Sequence, residues 1–254
     1  MKILVIYAVE PEFAPWRKLR DFSDRLADGF TVNTTQVGRA SVDFIVSGMG
    51  IENAKRAAEA GMSEPHTICI SAGFCASLKH EHLVGDILVP DSVQDLVAHK
   101  TLECGRNLVH AARNDGATAV NKFFTVREII TTAEEKARLA PYAAAADMES
   151  FAILEAARAR NLSAVVVRVV SDGFDQDVPA EFATTVDAQG RVSLRGVARA
   201  IARHPLQLPA LVRLGRQSKT AAEGLAHFLE AYIKKLSFHS HGWPPVEVLE
   251  TAAR

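Results

Sequence analysis

Two acidic residues flank a buried stretch of the sequence, at positions that a ligand could reach. Asp172 closely follows the β-branched run 164–170, which is typical of a parallel strand buried on both faces. Glu149 precedes the segment 151–160, whose Ala, Leu, Glu and Arg content favours a helix. Ligands of open α/β sheets bind outside the carboxyl ends of the strands. The two carboxylates are therefore candidates for a ligand site.

Three further strands are predicted to end in polar or small residues. Glu10-Pro11-Glu12 follows the first of them, and Pro and acids are also favoured in the first turn of a helix. Gly48-Met49-Gly50 and Ser71-Ala72-Gly73 follow two later strands. Gly48 and Gly50 would allow a ligand to approach the backbone, although a tight turn without function explains them equally well. The repetition at one sheet edge predicts a site assembled from separate loops.

Several of these residue types also have a purely structural explanation. Arg168 interrupts the apolar strand, and we favour a buried guanidinium tied to a carboxylate, because an unpaired buried charge is costly. Met148 alone is typical of core filler, or of the apolar floor of a pocket. His80 and His82 bracket Glu81 and could bind a metal, but a solvated loop is the favoured interpretation. No metal site is predicted.

The surrounding sequence predicts alternating strands and helices. Predicted strands cover 2–9, 30–36, 41–47, 67–71, 86–93, 123–130 and 164–170. Predicted helices cover 13–26, 52–61, 132–139, 151–160, 192–203 and 217–236, with 98–114 left as helix or loop. Thr132 and Glu135 form a capping-box pattern, and Asn161 is predicted to end the helix before it. We expect one α/β domain over 1–236 and a C-terminal tail over 237–254.

Composition restricts the possible classes of function. The chain has 254 residues, of which 48% are apolar, so a large core is feasible without disulfides. The net charge of -1 gives no reason to expect nucleic-acid binding. Cys69, Cys75 and Cys104 lack a C-x-x-C spacing, which favours reduced thiols and a cytoplasmic protein. No stretch has the length of a transmembrane helix.

Taken together, the motifs resemble the nucleoside phosphorylase superfamily, and in particular methylthioadenosine/S-adenosylhomocysteine nucleosidases. The matching segments fall in the family's order and are A-V-E-P-E at 8–12, S-G-M-G at 47–50, S-A-G at 71–73, G-D-I at 85–87, D-M-E-S at 147–150 and R-V-V-S-D at 168–172. The resemblance implies a twisted, partly closed mixed central β-sheet flanked by α-helices. It also implies a homodimer or a larger homo-oligomer.

The resemblance implies catalytic roles for Glu12, Glu149 and Asp172. Glu149 would hold the ribose hydroxyls, and Asp172 would face the purine at N7 and the exocyclic amine. Glu12 would orient and activate the attacking water, with Ser71 beside it. The implied substrate-binding residues are Val9, Met49, Ser71, Ile129, Ile130 and Met148. Among these, Met148 would pack on the sugar, and the main chain of Ile129 and Ile130 would contact the base.

The chemistry of N-ribosyl cleavage is compatible with these roles. Its transition state resembles an oxocarbenium ion, so anions near the sugar stabilise it. Adenine leaves poorly unless it is protonated, so an acid at the base is needed. The water needs a base on the opposite side of C1′. No cofactor is required.

The segment 187–214 resembles one found in hopanoid-associated phosphorylases. This resemblance implies release of adenine from adenosylhopane in hopanoid biosynthesis. Such a lipid-linked substrate would bring the protein into transient contact with a membrane. The alternatives are a methylthioadenosine/S-adenosylhomocysteine nucleosidase and a phosphate-dependent purine nucleoside phosphorylase. A nucleoside-binding module without catalysis is disfavoured, because binding alone does not need a water-activating acid.

The nucleophile is predicted to be water rather than phosphate. Phosphorylases of this superfamily hold phosphate with a Gly-rich first loop that carries Arg and with an Arg before the S-x-G turn. Here the first loop is Glu10-Pro11-Glu12, and Ile68 stands where the second Arg would fall. Two acids repel a phosphate dianion unless cations offset them.

Overall fold

The first strand, β1 (Lys2–Tyr7), lies inside the sheet between two parallel neighbours. The structure is a computed structural model that describes residues 1–178 and 208–238. β1 pairs with β4 (Ala40–Val46) on one side and with β5 (Ile68–Ser77) on the other. Its residues 3–7 are fully buried. This burial explains why the strand consists of a continuous apolar run rather than an alternating pattern.

The other strands and the helices complete the described part of the chain. The remaining strands are β2 (Ser23–Ala27), β3 (Phe30–Val37), β6 (Ile87–Asp95), β7 (Thr101–Glu103), β8 (Thr118–Thr125), β9 (Ala145–Asp147) and β10 (Ser163–Asp172). The helices are α1 (Glu10–Phe13), α2 (Trp16–Leu19), α3 (Ile51–Gly61), α4 (Arg106–Asn114), α5 (Ala133–Leu139), α6 (Ser150–Ala159) and α7 (Leu208–Phe238).

The strands form one mixed sheet that closes on itself at one end. Its order is β10-β6-β8-β9-β5-β1-β4-β3-β2, and β7 pairs with β6. β10 also pairs in parallel with β5, so that β10, β6, β8, β9 and β5 form a closed ring of five strands. The prediction of a single α/β domain with a partly closed mixed sheet flanked by helices is confirmed.

The long helix α7 covers part of this sheet. It packs against β10 and also contacts α1. Its buried side includes Ala221, Leu225, Leu229 and Tyr232, and the Tyr232 hydroxyl donates to a backbone carbonyl at 2.8 Å. The helix begins earlier than predicted because Pro209 lies in its first turn. Backbone N–H groups of the first turn have no acceptor within the helix, so a proline there costs no hydrogen bond. No helix in the described residues is long and apolar enough to cross a membrane.

The helix predicted over 13–26 is wrong beyond its first turns. α2 ends at Leu19, and β2 then pairs with β3 as an antiparallel hairpin. Asp28 and Gly29 connect the two strands with φ values of 46° and 84°. This is the left-handed geometry that Asp-Gly pairs favour in two-residue hairpin loops. The hairpin turn therefore overrides the helical composition of the segment before it.

Two other segments differ from their predictions. β8 begins at Thr118 rather than at 123 and ends at Thr125, because its first half is polar and partly exposed. Ile129 and Ile130 consequently follow the strand in a loop. The segment 98–114 contains both β7 and α4. The predicted helix 192–203 lies outside the described residues, as does the predicted tail except for its first two residues, which continue α7.

Candidate active site

A cavity of about 600 Å³ opens at the carboxyl ends of β1 and β10, beside the second half of β5. Such an edge is where α/β sheets usually bind ligands. The predicted site residues that line the cavity are Val9, Glu12, Met49, Ile129, Ile130, Met148, Glu149 and Asp172. Ser71 is fully buried and does not line it. Loops that are distant in the sequence thus converge on one space.

Glu12 is fixed by backbone N–H groups from the segment after β1 and from β5. Its Oε2 accepts from the N–H groups of Ala8 and Val9 at 2.8 and 2.9 Å, and its Oε1 accepts from that of Phe74 at 2.7 Å. Burial raises the pKa of Glu12 above its usual range, although the charge of Arg168 and these donors act in the opposite direction. Oε1 retains a lone pair for another donor. Glu12 therefore belongs to a helix start and also faces the cavity.

Gly73 allows β5 to pass close to Glu12. Its φ is 146°, and a Cβ at this position would lie 2.5 Å from Glu12 Oε1 and 2.6 Å from Arg168 Nη1. Both neighbours are buried charged groups, so neither can move aside without losing its partners. The prediction that Ser71-Ala72-Gly73 follows a strand is wrong, because β5 continues to Ser77 and contains all three residues.

Arg168 lies between the carboxylates and is itself buried. Its Nε is 3.0 Å from Asp147 Oδ2, and its Nη2 is 3.6 Å from Glu149 Oε2. The same Nη2 donates to the hydroxyls of Ser71 and Ser150 at 3.2 and 2.9 Å. The prediction of a buried guanidinium tied to a carboxylate is confirmed. Arg168 also connects Ser71 to the residues that line the cavity.

Glu149 is the N-cap residue of α6 and contacts the loop after β4. Its Oε1 accepts from the backbone N–H of Gly50 at 2.8 Å. The neighbouring Asp147 accepts through Oδ1 from the backbone N–H groups of Glu149 and Ser150 and so caps the helix. Burial raises the pKa of Glu149 to about 7, against the opposing charge of Arg168. A carboxyl group with this pKa titrates near neutral pH.

Asp172 ends β10 and contacts a lysine that lies far from it in sequence. Its Oδ1 accepts from the hydroxyl of Ser171 at 2.8 Å, and its Oδ2 is 2.7 Å from the Nζ of Lys136. Lys136 comes from α5 and is fully buried. Each oxygen of Asp172 therefore has a donor within the protein, and the carboxylate still borders the cavity.

The rest of the cavity wall is mainly apolar. Met49, Met148, Ile129 and Ile130 contribute to the wall around the carboxylates. Toward α7 the lining residues are Val178, Leu211, Leu214, Gly215, Ser218, Lys219, Ala222 and Glu223. Apolar walls with a few convergent polar groups are typical of small-molecule sites.

Lys136 and Asp147 were not singled out from the sequence. Asp147 could have been found, since it stands in the same polar cluster as Glu149, but Lys136 gives no local signal in a charged helix. The solvated interpretation of the histidine loop holds for His80, which is exposed and pairs with Asp175 at 3.0 Å, but not for His82, which is buried. Within residues 1–178 and 208–238, no cluster of His, Cys, Asp and Glu could hold a metal ion.

Several solved structures share this fold at low sequence identity. Futalosine hydrolase of Helicobacter pylori has a TM-score of 0.71 and 15% identity, over 92% of this chain and 98% of that chain. The 5′-methylthioadenosine/S-adenosyl homocysteine nucleosidase of the same organism gives 0.71 and 16%, over 92% and 98%. The corresponding nucleosidase of S. pneumoniae gives 0.71 and 18%, over 93% and 100%. At these identities the likeness establishes the fold.

Family assignment comes from the sequence itself. Among curated proteins, none matches the chain. A family model described as the Phosphorylase superfamily matches residues 2–203, which is well over half of the chain. The match spans the first loop, the glycine turns, the cluster at 147–150 and the end of β10. The chain therefore belongs to the Phosphorylase superfamily.

Proposed function

We propose that the protein cleaves the N-glycosidic bond of an adenine nucleoside and releases adenine. The observation that carries this proposal is the convergence of Glu12, Glu149 and Asp172 on one largely apolar cavity. The three carboxylates come from α1, the start of α6 and the end of β10, and cleavage of a nucleoside has three tasks for such groups. They are activation of the nucleophile, stabilisation of the sugar cation and protonation of the leaving base.

The proposed substrate orientation follows from the positions of the carboxylates. Glu149, beside Met148, would accept hydrogen bonds from the ribose hydroxyls. Asp172 would face N7 and the exocyclic amine, with the main chain of Ile129 and Ile130 along the base. The H. pylori nucleosidase of the same fold was solved with an inhibitor that carries an amino-pyrrolopyrimidine, a purine-like group. That ligand supports an adenine-like base for this cavity too.

Water is the proposed nucleophile, with Glu12 as the residue that orients and activates it. Oε1 of Glu12 has one protein donor and can accept a second hydrogen bond from water. A phosphate dianion would meet Glu12 and Glu149, and the nearby charge of Arg168 is already shared with Asp147. Like charges that are held close together repel strongly in a site that excludes water. Ser71 would act through Arg168 rather than on the water directly.

Adenosylhopane is the proposed substrate, with an apolar 5′ group directed toward α7. Val178, Leu211 and Leu214 give that side of the cavity an apolar surface, and Leu214 is almost completely buried. Burial of a lipid against such a surface contributes roughly 25 cal/mol per Å² of apolar area. Methylthioadenosine and S-adenosylhomocysteine carry smaller 5′ groups and are the alternative substrates.

Adenine release in phosphate-free buffer tests this function. We expect many adenines per protein molecule, with kcat/KM higher for adenosylhopane, or for a long-chain 5′-alkyl adenosine, than for methylthioadenosine. Strict dependence on added phosphate, with a ribose 1-phosphate as the sugar product, would identify a phosphorylase. A clear preference for the small thioether nucleosides would identify a salvage nucleosidase. Release that stops at one adenine per protein or fewer would indicate a binding module.

A further inference from the structure

A fully buried ammonium group lies directly behind the carboxylate that faces the base. Lys136 Nζ donates to Asp172 Oδ2 at 2.7 Å, to the carbonyl of Gly173 at 2.7 Å and to that of Gln176 at 2.9 Å. A charged lysine has three N–H donors, and each of them has an acceptor here. The site is therefore built for the ammonium form, with a carboxylate as its charge partner.

This arrangement determines what Asp172 offers to a ligand. Its Oδ2 accepts a hydrogen bond from the Lys136 ammonium, and its Oδ1 accepts one from the Ser171 hydroxyl. A carboxylate that is ionised can only accept hydrogen bonds. Toward the cavity it therefore attracts an N–H group and repels a carbonyl oxygen. A purine distinguishes these two cases at C6, where adenine carries an amine and hypoxanthine carries an oxygen.

We propose that Lys136 is a positioning residue that makes the enzyme select 6-amino purines over 6-oxo purines. The inference rests on the proposed function, because it requires Asp172 to face the base. Lys136 holds Asp172 as an acceptor for the exocyclic amine. For the transfer to N7, Asp172 first takes up a proton from solvent; its O–H bond then breaks as the N–H bond at N7 forms, and the ammonium stabilises the carboxylate that remains. Only the first effect selects adenine nucleosides, because N7 is common to 6-amino and 6-oxo purines.

A structural role for Lys136 would give a different result. The same ammonium connects α5 to the loop 173–176, so its loss could simply loosen that loop. Loosening would reduce turnover of all nucleosides by a similar factor. Loss of the charge beside Asp172 instead changes the ratio between the two bases. The ratio is therefore the quantity to measure.

The test compares methylthioadenosine with methylthioinosine, which share one 5′ group, in the wild type and in Lys136→Met. We expect the wild type to prefer the 6-amino compound and the variant to lose about tenfold or more of that preference, the value of one hydrogen bond to a charged group. Arg138→Met removes an exposed charge from the same helix and should leave the ratio unchanged. An unchanged ratio in a folded Lys136→Met protein overturns the inference and leaves the proposed function standing.

A second measurement needs no variant, in case Lys136→Met does not fold. Adenine and hypoxanthine should compete with substrate on the wild-type enzyme, and adenine should bind at least about tenfold more tightly. Equal inhibition by the two bases overturns the inference. If the wild type releases no base from any nucleoside, the proposed function fails and the inference fails with it.

Discussion

At the residue scale, the site depends on one shared cation. Arg168 lies within 3.0 Å of Asp147 and 3.6 Å of Glu149, and its charge also acts on Glu12. Removing one partner of a buried ion pair is costly because the other is left uncompensated. Substitutions of Arg168 would therefore combine a catalytic and a structural loss. Asp172 and Glu149 can be replaced by amides of the same shape, although an amide at Asp172 leaves the buried Lys136 without its charge partner.

We expect Asp172→Asn to lose on the order of 100-fold in turnover, the usual contribution of a general acid, and to unfold at a lower temperature than the wild type because the buried Lys136 loses its charge partner. The amide retains the shape of the side chain but cannot pass a proton to N7. Steady-state adenine release and thermal unfolding would be measured together. Asp175→Asn, at an exposed position three residues later, is the matched control. Turnover close to that of the wild type would remove Asp172 from the mechanism.

Glu149 should give the enzyme a pH dependence near neutrality. Its pKa is raised to about 7 by burial, and only the ionised carboxylate accepts hydrogen bonds from both ribose hydroxyls. We expect kcat/KM to increase as the pH rises through about 7 and then to level off. Glu149→Gln should be less active and should lack this rise. A rise that persists in Glu149→Gln would assign it to another group.

At the element scale, the strand ends and α7 have different tasks. The loops after β1, β4 and β10, with the start of α6, supply the polar groups of the cavity, whereas α7 supplies apolar side chains. Leu211, Leu214 and Ala222 share one side of this helix, and Val212 is exposed on it. Chemistry and 5′ specificity should therefore be separable by mutation.

Leu214→Ala should weaken the use of a long-chain 5′-alkyl adenosine more than the use of methylthioadenosine. The substitution removes apolar surface that only the longer substituent would reach, and we expect on the order of a tenfold loss in kcat/KM for that substrate. Val212→Ala, on the exposed part of α7, is the control. Equal losses for both substrates would show that Leu214 supports the core rather than the 5′ group.

At the scale of the whole molecule, a second charged cluster lies around β4, inside the sheet between β1 and β3. Asp43 is buried on β4 and contacts Lys2, Arg25, Thr34 and His66. Burial alone would raise the pKa of Asp43, but hydrogen bonds from these partners outweigh burial and hold it well below its usual range. A carboxyl with a lowered pKa stabilises the fold above its unfolded pKa and loses that contribution as the pH falls.

Asp43→Asn should lower the free energy of unfolding at pH 7 by about 2 kcal/mol, because Lys2 and Arg25 lose a charged acceptor but keep Glu64 as a partner. The difference from the wild type should shrink below about pH 4, where the unfolded carboxyl becomes protonated. Urea unfolding across this pH range measures both effects. A difference that is constant with pH would mean that packing, and not charge, makes Asp43 important.

Local sequence determined the elements whose signals lie within a few residues. Asn161 ends α6 with a φ of 52°, and Thr132 with Glu135 caps α5, as predicted. The buried run of β10 was equally clear, because a strand covered on both faces has no polar alternation. Glu12, Glu149 and Asp172 could be selected as site candidates from the sequence, because each lies within a few residues of a predictable strand or helix.

Tertiary structure decided the relations between distant residues. Lys136 resembles any surface lysine of a charged helix, and only the packing of α5 beside the end of β10 brings it to Asp172. β2 stands where part of a helix was predicted, because its pairing with β3 outweighed the helical composition of that segment. Closure of the ring through the pairing of β10 with β5 likewise has no local signal. Charge compensation and strand pairing act across space, so the sequence order does not reveal which groups will meet.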